Sequence, residues 1–453
     1  MTRTVAIIGG GITGIAAALE ATNYDANVHL FEASPKFGGK IAETEVDGKL
    51  IPTAPDAFLA RRPEMIELAE LLGLNSVATT PAAGSPRIYR NGQLYSLPPN
   101  VLGIPATADL SPGLLSAEGI AEMSQDLDAP ASTYDDDESA GTLVRRRLGD
   151  EALEYLVDPL LGGINAGDSD QLSIVSGVPA LAALRSRCPS LIESAAKTLE
   201  GAKAKPGPVF QSVTGGLNRL VDTAINQLVD AGVTLHLGSP ATLRQDAGQW
   251  HVESKTSETV RCDDVIVTTP AHVTSQLLQD VSRDAAHALL EIDYSSVALT
   301  ILILPAGTID IDPSISGVLV PRQCGLHITA VSFASHKWPE LASGGEQILR
   351  VSVGRRTHTS WQELSDSELA DQIRADLSEI FGTAIAVGPT HVARWMRSLP
   401  QYDVGHRDKI RAIDTATNPF GGLVLTGAWR DGLGLPACAG AGKVAAQQLF
   451  ATS

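Results

Sequence analysis

The chain has 453 residues, 43% of them hydrophobic and 19% charged, with a net charge of −18. That length supports a large buried core and two or three subdomains. The acidic balance argues against a nucleic-acid partner, which needs a basic surface. No run of about 18 apolar residues occurs, so no transmembrane helix is expected. The opening Met1-Thr2-Arg3-Thr4 leaves no room for a signal peptide before the first strand, and the expected location is cytoplasmic. Cys188, Cys262, Cys324 and Cys438 are far apart with no CxxC pair, so they read as reduced thiols and no metal site is expected.

Val5-Ala6-Ile7-Ile8 is an apolar run suited to a parallel strand covered on both faces. Gly9 allows a tight turn, Gly11 allows close approach of a pyrophosphate, and Gly14 lets the next helix pack on the strand. That helix is predicted from about Thr13 to Thr22. The N–H groups at its start, Ile12 and Thr13 among them, carry a partial positive charge toward phosphate. Val28–Phe31 reads as a second strand, with Glu32 placed to accept ribose hydroxyls. A carboxylate there argues against a 2′-phosphate, and so against NADP. Strand, glycine turn, helix, strand and acid in register predict a bound dinucleotide.

Residues 94–205 read as mostly helical. The acidic run Asp135–Glu138 is expected to be a solvated loop before a helix capped near Ser139, and Arg145, Arg146 and Arg147 to be a helix face. A helix is predicted over 218–231, then strands at Val233–Leu237, Trp250–Val252, Val260–Cys262 and Val265–Pro270. Between 298 and 392, strands at Leu299–Leu304 and Ile348–Val353 and a helix at Asp366–Phe381 suggest a second, mixed sheet. Near the end, Leu423–Leu425 reads as a buried strand. It leads through the glycine-rich turn Gly427–Gly434, with Leu435 and Pro436, into a small-residue helix over 437–449. Phosphate-binding devices at both ends of the chain predict one cofactor held by a discontinuous domain.

Glu32-Ala33-Ser34 followed by Gly38-Gly39-Lys40 resembles the amine-oxidase-like FAD superfamily. Only one GxGxxG is present, which favours an oxidase over a pyridine-nucleotide reductase. Several further segments, spread over nearly the whole chain in the family's order, resemble bacterial protoporphyrinogen and coproporphyrinogen III oxidases. They are Phe58–Pro63, Val144–Gly149, Asp158–Gly167, His336–Pro339, Leu399–Tyr402 with Gly405-His406, and Asp431–Cys438.

The resemblance implies an α/β fold with a discontinuous Rossmann-type FAD domain (1–60, 206–285 and 394–453). It also implies a mixed-sheet substrate domain (61–93 and 286–393) and a helical subdomain (94–205). The implied activity is the FAD-dependent, six-electron oxidation of coproporphyrinogen III to coproporphyrin III in haem biosynthesis. Three hydride transfers go to a noncovalent FAD, oxygen is the acceptor and hydrogen peroxide is released. A hand-off of the porphyrin to a ferrochelatase is plausible only through the family. FAD would be held by Gly9, Gly11, Ile12, Thr13, Gly14, Glu32, Ala33, Gly38, Gly39, Lys40, Ala54, Pro55, Asp56, Trp395, Gly427, Gly434, Leu435 and Pro436.

The backbone at Gly163 would face the macrocycle and act on a pyrrole N–H. Arg61, Lys337 and Arg322 would meet the propionates, with Asn165 shaping the pocket. Ala54 stands where the family usually has glycine, and Asn165 where it often has an aromatic residue, which alters contacts at the flavin ring and the substrate. Tyr402 and His406 are expected to be core hydrogen-bonding residues. Protoporphyrinogen IX oxidation, an amine or carotenoid oxidase of the same superfamily, and a flavin- or porphyrin-binding carrier without turnover stay open as alternatives.

Overall fold

The computed structural model describes residues 2–130, 136–203, 207–254, 258–342 and 344–451. Asp135 of the acidic run and the predicted subdomain boundary at 205/206 lie outside these residues.

The opening strand Arg3–Ile8 occupies the middle of a five-stranded parallel sheet. Ala26–Glu32 and then Thr234–Leu237 lie on one side of it, Asp264–Val267 and Leu423–Leu425 on the other. Strands from the start, middle and end of the chain therefore build one sheet. Its inner strands are apolar on both faces because helices cover one face, and a small antiparallel sheet of residues 241–246, 249–254 and 260–262 packs with further helices on the other. The helix Ile12–Ala21 packs beside the C-terminal helix Leu435–Ala451, where a Cβ at Gly442 would overlap the Thr13 carbonyl. The predicted strand over Val265–Pro270 ends at Val267. Thr268 turns away, its amide donating to the Ile8 carbonyl and its hydroxyl to the carbonyl of Gly9.

A second, seven-stranded sheet runs in the order 390–400, 294–304, 347–353, 328–333, 317–319, 87–90 and 93–96. All its pairings are antiparallel except that of 317–319 with 87–90. The helix Asp366–Phe381 buries Leu369, Ile373 and Leu377 against one face of this sheet. It starts on a reciprocal cap: the Ser365 hydroxyl accepts from the Glu368 amide, and the Glu368 carboxylate accepts from the Ser365 amide. Residues between these sheets form a mainly helical layer with its own core of Leu143, Val144, Leu156, Leu161 and Leu181. Ser139 caps the helix Ala140–Leu148; on it Arg145 and Arg146 pair outward with Asp150, Asp170 and Glu138, while Arg147 turns inward to the buried Asp126. Among the described residues, no helix is long and apolar enough to cross a membrane.

Candidate flavin site

Gly9 has φ +115°, a backbone conformation that favours glycine. A Cβ on Gly14 would overlap the Gly9 carbonyl oxygen, so helix and turn can meet this closely only without a side chain. Gly11 is the N-cap of the first helix and has no side chain to satisfy the helix's first N–H groups. The space before it is open: a Cβ there would find its nearest neighbour, Gly39 Cα, at 4.0 Å. Gly38 and Gly39, at φ +110° and +59°, form the opposite wall, and the Gly38 amide donates to the Gly10 carbonyl at 2.8 Å. The two glycine turns thus lie directly against each other and leave a slot only in front of Gly11. Its shape and free amides fit a pyrophosphate. Glu32 stands at one end of the slot, its carboxylate fixed by the amides of Gly10 and Ser34, each at 2.7 Å. Ala33 beside it is exposed.

The last turn of the chain closes the other end. The Asp431 carboxylate accepts from the Thr426 hydroxyl at 2.7 Å and the Gly427 amide at 3.1 Å. Tyr402 is buried; its hydroxyl donates to the Ala428 carbonyl at 2.6 Å and accepts from the Gly432 amide at 2.8 Å. The C-terminal helix begins at Leu435. Cys438, in its first turn, touches the Thr13 hydroxyl in the first turn of the opening helix. Two helix N-termini, both positive ends, therefore converge. Lys40 adds a cation beside them. Its ammonium donates to the Ser398 carbonyl, and burial lowers its pKa. Gly434 and Pro436 line a cavity of about 630 Å³.

The segment Thr53–Asp56 leaves this domain and is pinned to the second sheet. The Trp395 indole donates to the Thr53 carbonyl at 2.7 Å, and Arg350 donates to the Ala54 carbonyl. After Pro55, Asp56 accepts from Lys337 at 2.6 Å, Arg350 at 2.7 Å and the Trp338 indole at 3.1 Å. Burial works against the charge on Asp56, but Arg350 and Lys337 outweigh it and hold the carboxyl well below the usual carboxylate range.

Gly163 lies near the end of the helix Asp158–Asn165, which follows a π-helical turn at Leu153–Val157. Such turns recur at functional sites. Asp158 anchors the start of this helix through Arg355 at 2.9 Å, Arg322 at 2.5 Å and the Ser169 hydroxyl at 2.5 Å. Gly162 must be glycine, because a Cβ would strike the Arg355 guanidinium. At the other end the carbonyls of Asn165 and Ala166 accept from the Gln401 side chain and the Arg356 amide. Gly163 itself is exposed, and a Cβ there would meet only Leu319, at 3.9 Å. Among the described residues no N–H reaches its carbonyl.

A family model described as flavin containing amine oxidoreductase matches residues 12–450. The chain is 35% identical to the coproporphyrinogen III oxidase of Bacillus subtilis (strain 168), over 98% of this chain and 97% of that protein. It is 32% identical to the coproporphyrinogen III oxidase of Staphylococcus aureus (strain NCTC 8325 / PS 47), over the full length of both. It also superposes on the crystal structure of a protein assigned as a protoporphyrinogen oxidase from Exiguobacterium sp. 255-15. The TM-score is 0.88 and the identity 29%, with both chains fully covered.

The chain belongs to the flavin-containing amine oxidoreductases. Within that family it groups with the bacterial coproporphyrinogen III oxidases. It is an oxidoreductase and a flavoprotein. A flavin in a dinucleotide cradle is FAD, and the glycine slot fits FAD's pyrophosphate.

The geometry redistributes the cations that the sequence offered for substrate carboxylates. Lys337 is committed to Asp56. Arg322 is committed to Asp158, with Asp168 at 3.5 Å. Neither is a free cation: each neutralises a carboxylate that has lost water, which a buried acid requires. Arg61 is exposed and has no ion-pair partner among the described residues. Asn165 is buried, with its side-chain amide turned toward the Leu161 carbonyl of its own helix at 3.4 Å, so it lines the helix interior. Sequence reasoning missed Arg350 and Arg355, both buried. Arg350 had a signal: a lone arginine inside Ile348–Val353 cannot sit in a strand core without an acid to meet it.

Proposed function

We propose that this chain oxidises coproporphyrinogen III to coproporphyrin III, with FAD as the noncovalent redox cofactor and oxygen as final acceptor. The observation that carries this reading is similarity over 98% of the chain to the Bacillus subtilis coproporphyrinogen III oxidase. When bound, FAD supplies hydride acceptance in each of three two-electron steps, and electrons pass on to oxygen as hydrogen peroxide.

The protein's share is placement. The segment Thr53–Asp56 and the Gly163 helix are each tied to the second sheet, so a macrocycle between them is held at fixed distance from the cofactor. The Gly163 carbonyl is one of the unpaired acceptors that end a helix, and here it takes a pyrrole N–H. Without a side chain at Gly163, the ring approaches this carbonyl directly. Cys438 is buried, and its thiol donates to the Gly432 carbonyl at 3.4 Å, so it is not free to form a thioether. Acid denaturation therefore releases the yellow cofactor into solution; colour retained on the precipitated chain would show a covalent link. The deciding experiment supplies anaerobically prepared coproporphyrinogen III and protoporphyrinogen IX to the FAD-loaded protein and follows porphyrin fluorescence. Faster oxidation of the former is expected. Preference for protoporphyrinogen IX, or turnover of neither, would overturn the reading.

A further inference from the structure

The cavity of about 630 Å³ beside Gly434 and Pro436 falls in the size range of small-molecule sites. Its walls include Leu59, Val175, Ile410 and Leu433. Four arginines also line it, Arg62, Arg407, Arg411 and Arg430, against a single acid, Asp431. The rest of the molecule makes this unusual, because the chain carries a net charge of −18. Carboxylates just outside the lining balance three of these arginines, so Arg407 is the one left to receive a negative group.

The arginines differ in their freedom. Arg62 pairs with Glu64, Arg411 with Asp408, and Arg430 with Asp414. Arg407 is exposed and has no carboxylate partner among the described residues. It projects from the first turn of the helix His406–Thr417, next to buried His406, which packs on the Tyr402 ring at 4.2 Å. Burial pushes the His406 pKa down to about 4, so this residue adds no charge at neutral pH. Apolar walls with a cationic rim suit a flat hydrophobic ring bearing several carboxylate arms.

We infer that this cavity seats carboxylate arms of a tetrapyrrole at the mouth of the flavin site, with Arg407 as the principal carboxylate-binding residue. The inference rests on the proposed activity for the identity of the ligand. It adds the part of the protein that selects for the number of carboxylates. Coproporphyrinogen III has four and protoporphyrinogen IX two, so the former gains more from this rim.

The test uses the FAD-loaded full chain, its Arg407→Glu variant, and Arg283→Glu as a control with the same charge change at an exposed position elsewhere. For Arg407→Glu the KM for coproporphyrinogen III is expected to rise by about five-fold or more, with kcat nearly unchanged and a smaller rise for protoporphyrinogen IX. Arg283→Glu should behave as the parent. In parallel, coproporphyrin III is titrated into each holoprotein by fluorescence, and weaker binding is expected only for Arg407→Glu. Unchanged KM and binding, an equal effect in both variants, or loss of FAD from Arg407→Glu would overturn the inference. If the parent oxidises no porphyrinogen, the proposed activity falls, and the titration alone decides the cavity.

Discussion

Gly11 and Gly14 are three residues apart and are glycine for different reasons. At Gly14 the obstacle is the protein's own backbone, so Gly14→Ala should destabilise the fold, by about 3 kcal/mol. At Gly11 the space is open within the protein, where the proposed cofactor would lie. Gly11→Val should therefore melt near the parental temperature of the cofactor-free protein yet carry little FAD. Thermal melts beside the ratio of flavin to protein absorbance separate the two effects. Gly163 is a third case. Its Cβ would meet only Leu319, so Gly163→Val should fold and stay yellow while turnover falls by at least about a hundred-fold. Full activity in that variant would remove Gly163 from the site. Both turn glycines could be read from spacing, because a phosphate turn has a fixed grammar of close approaches. The engagement of Lys337 could not. Its partner Asp56 is 281 residues away, and nothing near either residue signals the other.

The elements most legible in the sequence were those whose ends are set locally. The helix Asp366–Phe381 begins and ends as expected because Ser365 and Glu368 cap each other and Gly382 takes the left-handed conformation. The strands Arg87–Arg90 and Gln93–Ser96 were not expected. They are short: Arg87–Arg90 becomes a strand by pairing with Gly317–Leu319, more than two hundred residues on, and Gln93–Ser96 then pairs with Arg87–Arg90. Strand pairing also joins two histidines. His29 Nδ1 lies 3.0 Å from His236 Nε2, and the His236 ring stacks on Phe31 at 4.1 Å. Burial lowers both pKa values, helped at His29 by its neighbour. The unfolded chain then binds protons more readily than the folded one. This contribution to stability is present above the unfolded value near about 6.5 and is lost as pH falls through it. The melting temperature should drop between about pH 7 and pH 5.5, and the drop should be smaller in His236→Phe, which keeps the stack on Phe31.

At the scale of the whole molecule, the parts are joined by charge as well as by packing. Asp158 in the helical layer meets Arg355 and Arg322 from turns that follow strands of the second sheet, and Arg356 bridges Asp293 and Asp403. Asp158→Ala would leave the buried Arg355 without its acid, at a cost of about 3–5 kcal/mol. Chemical denaturation of the variant and the parent measures that loss; a difference below about 1 kcal/mol would mean that Arg355 finds other partners. The overall class of fold was legible because glycine turns follow the central strand and one edge strand of the parallel sheet, near the two ends of the chain. The contacts that lock one layer to another were not, since each joins residues remote in sequence and depends on desolvation that only the assembled fold creates.

The contact of Gly442 with the Thr13 carbonyl also bears on how the protein is made. The nascent chain presents its glycine turn first, yet the helix that packs behind it and the fifth strand of its sheet emerge last. At typical rates of synthesis the wait is roughly 20 to 90 seconds. Throughout that time the glycine turn lacks the wall that the last helix supplies.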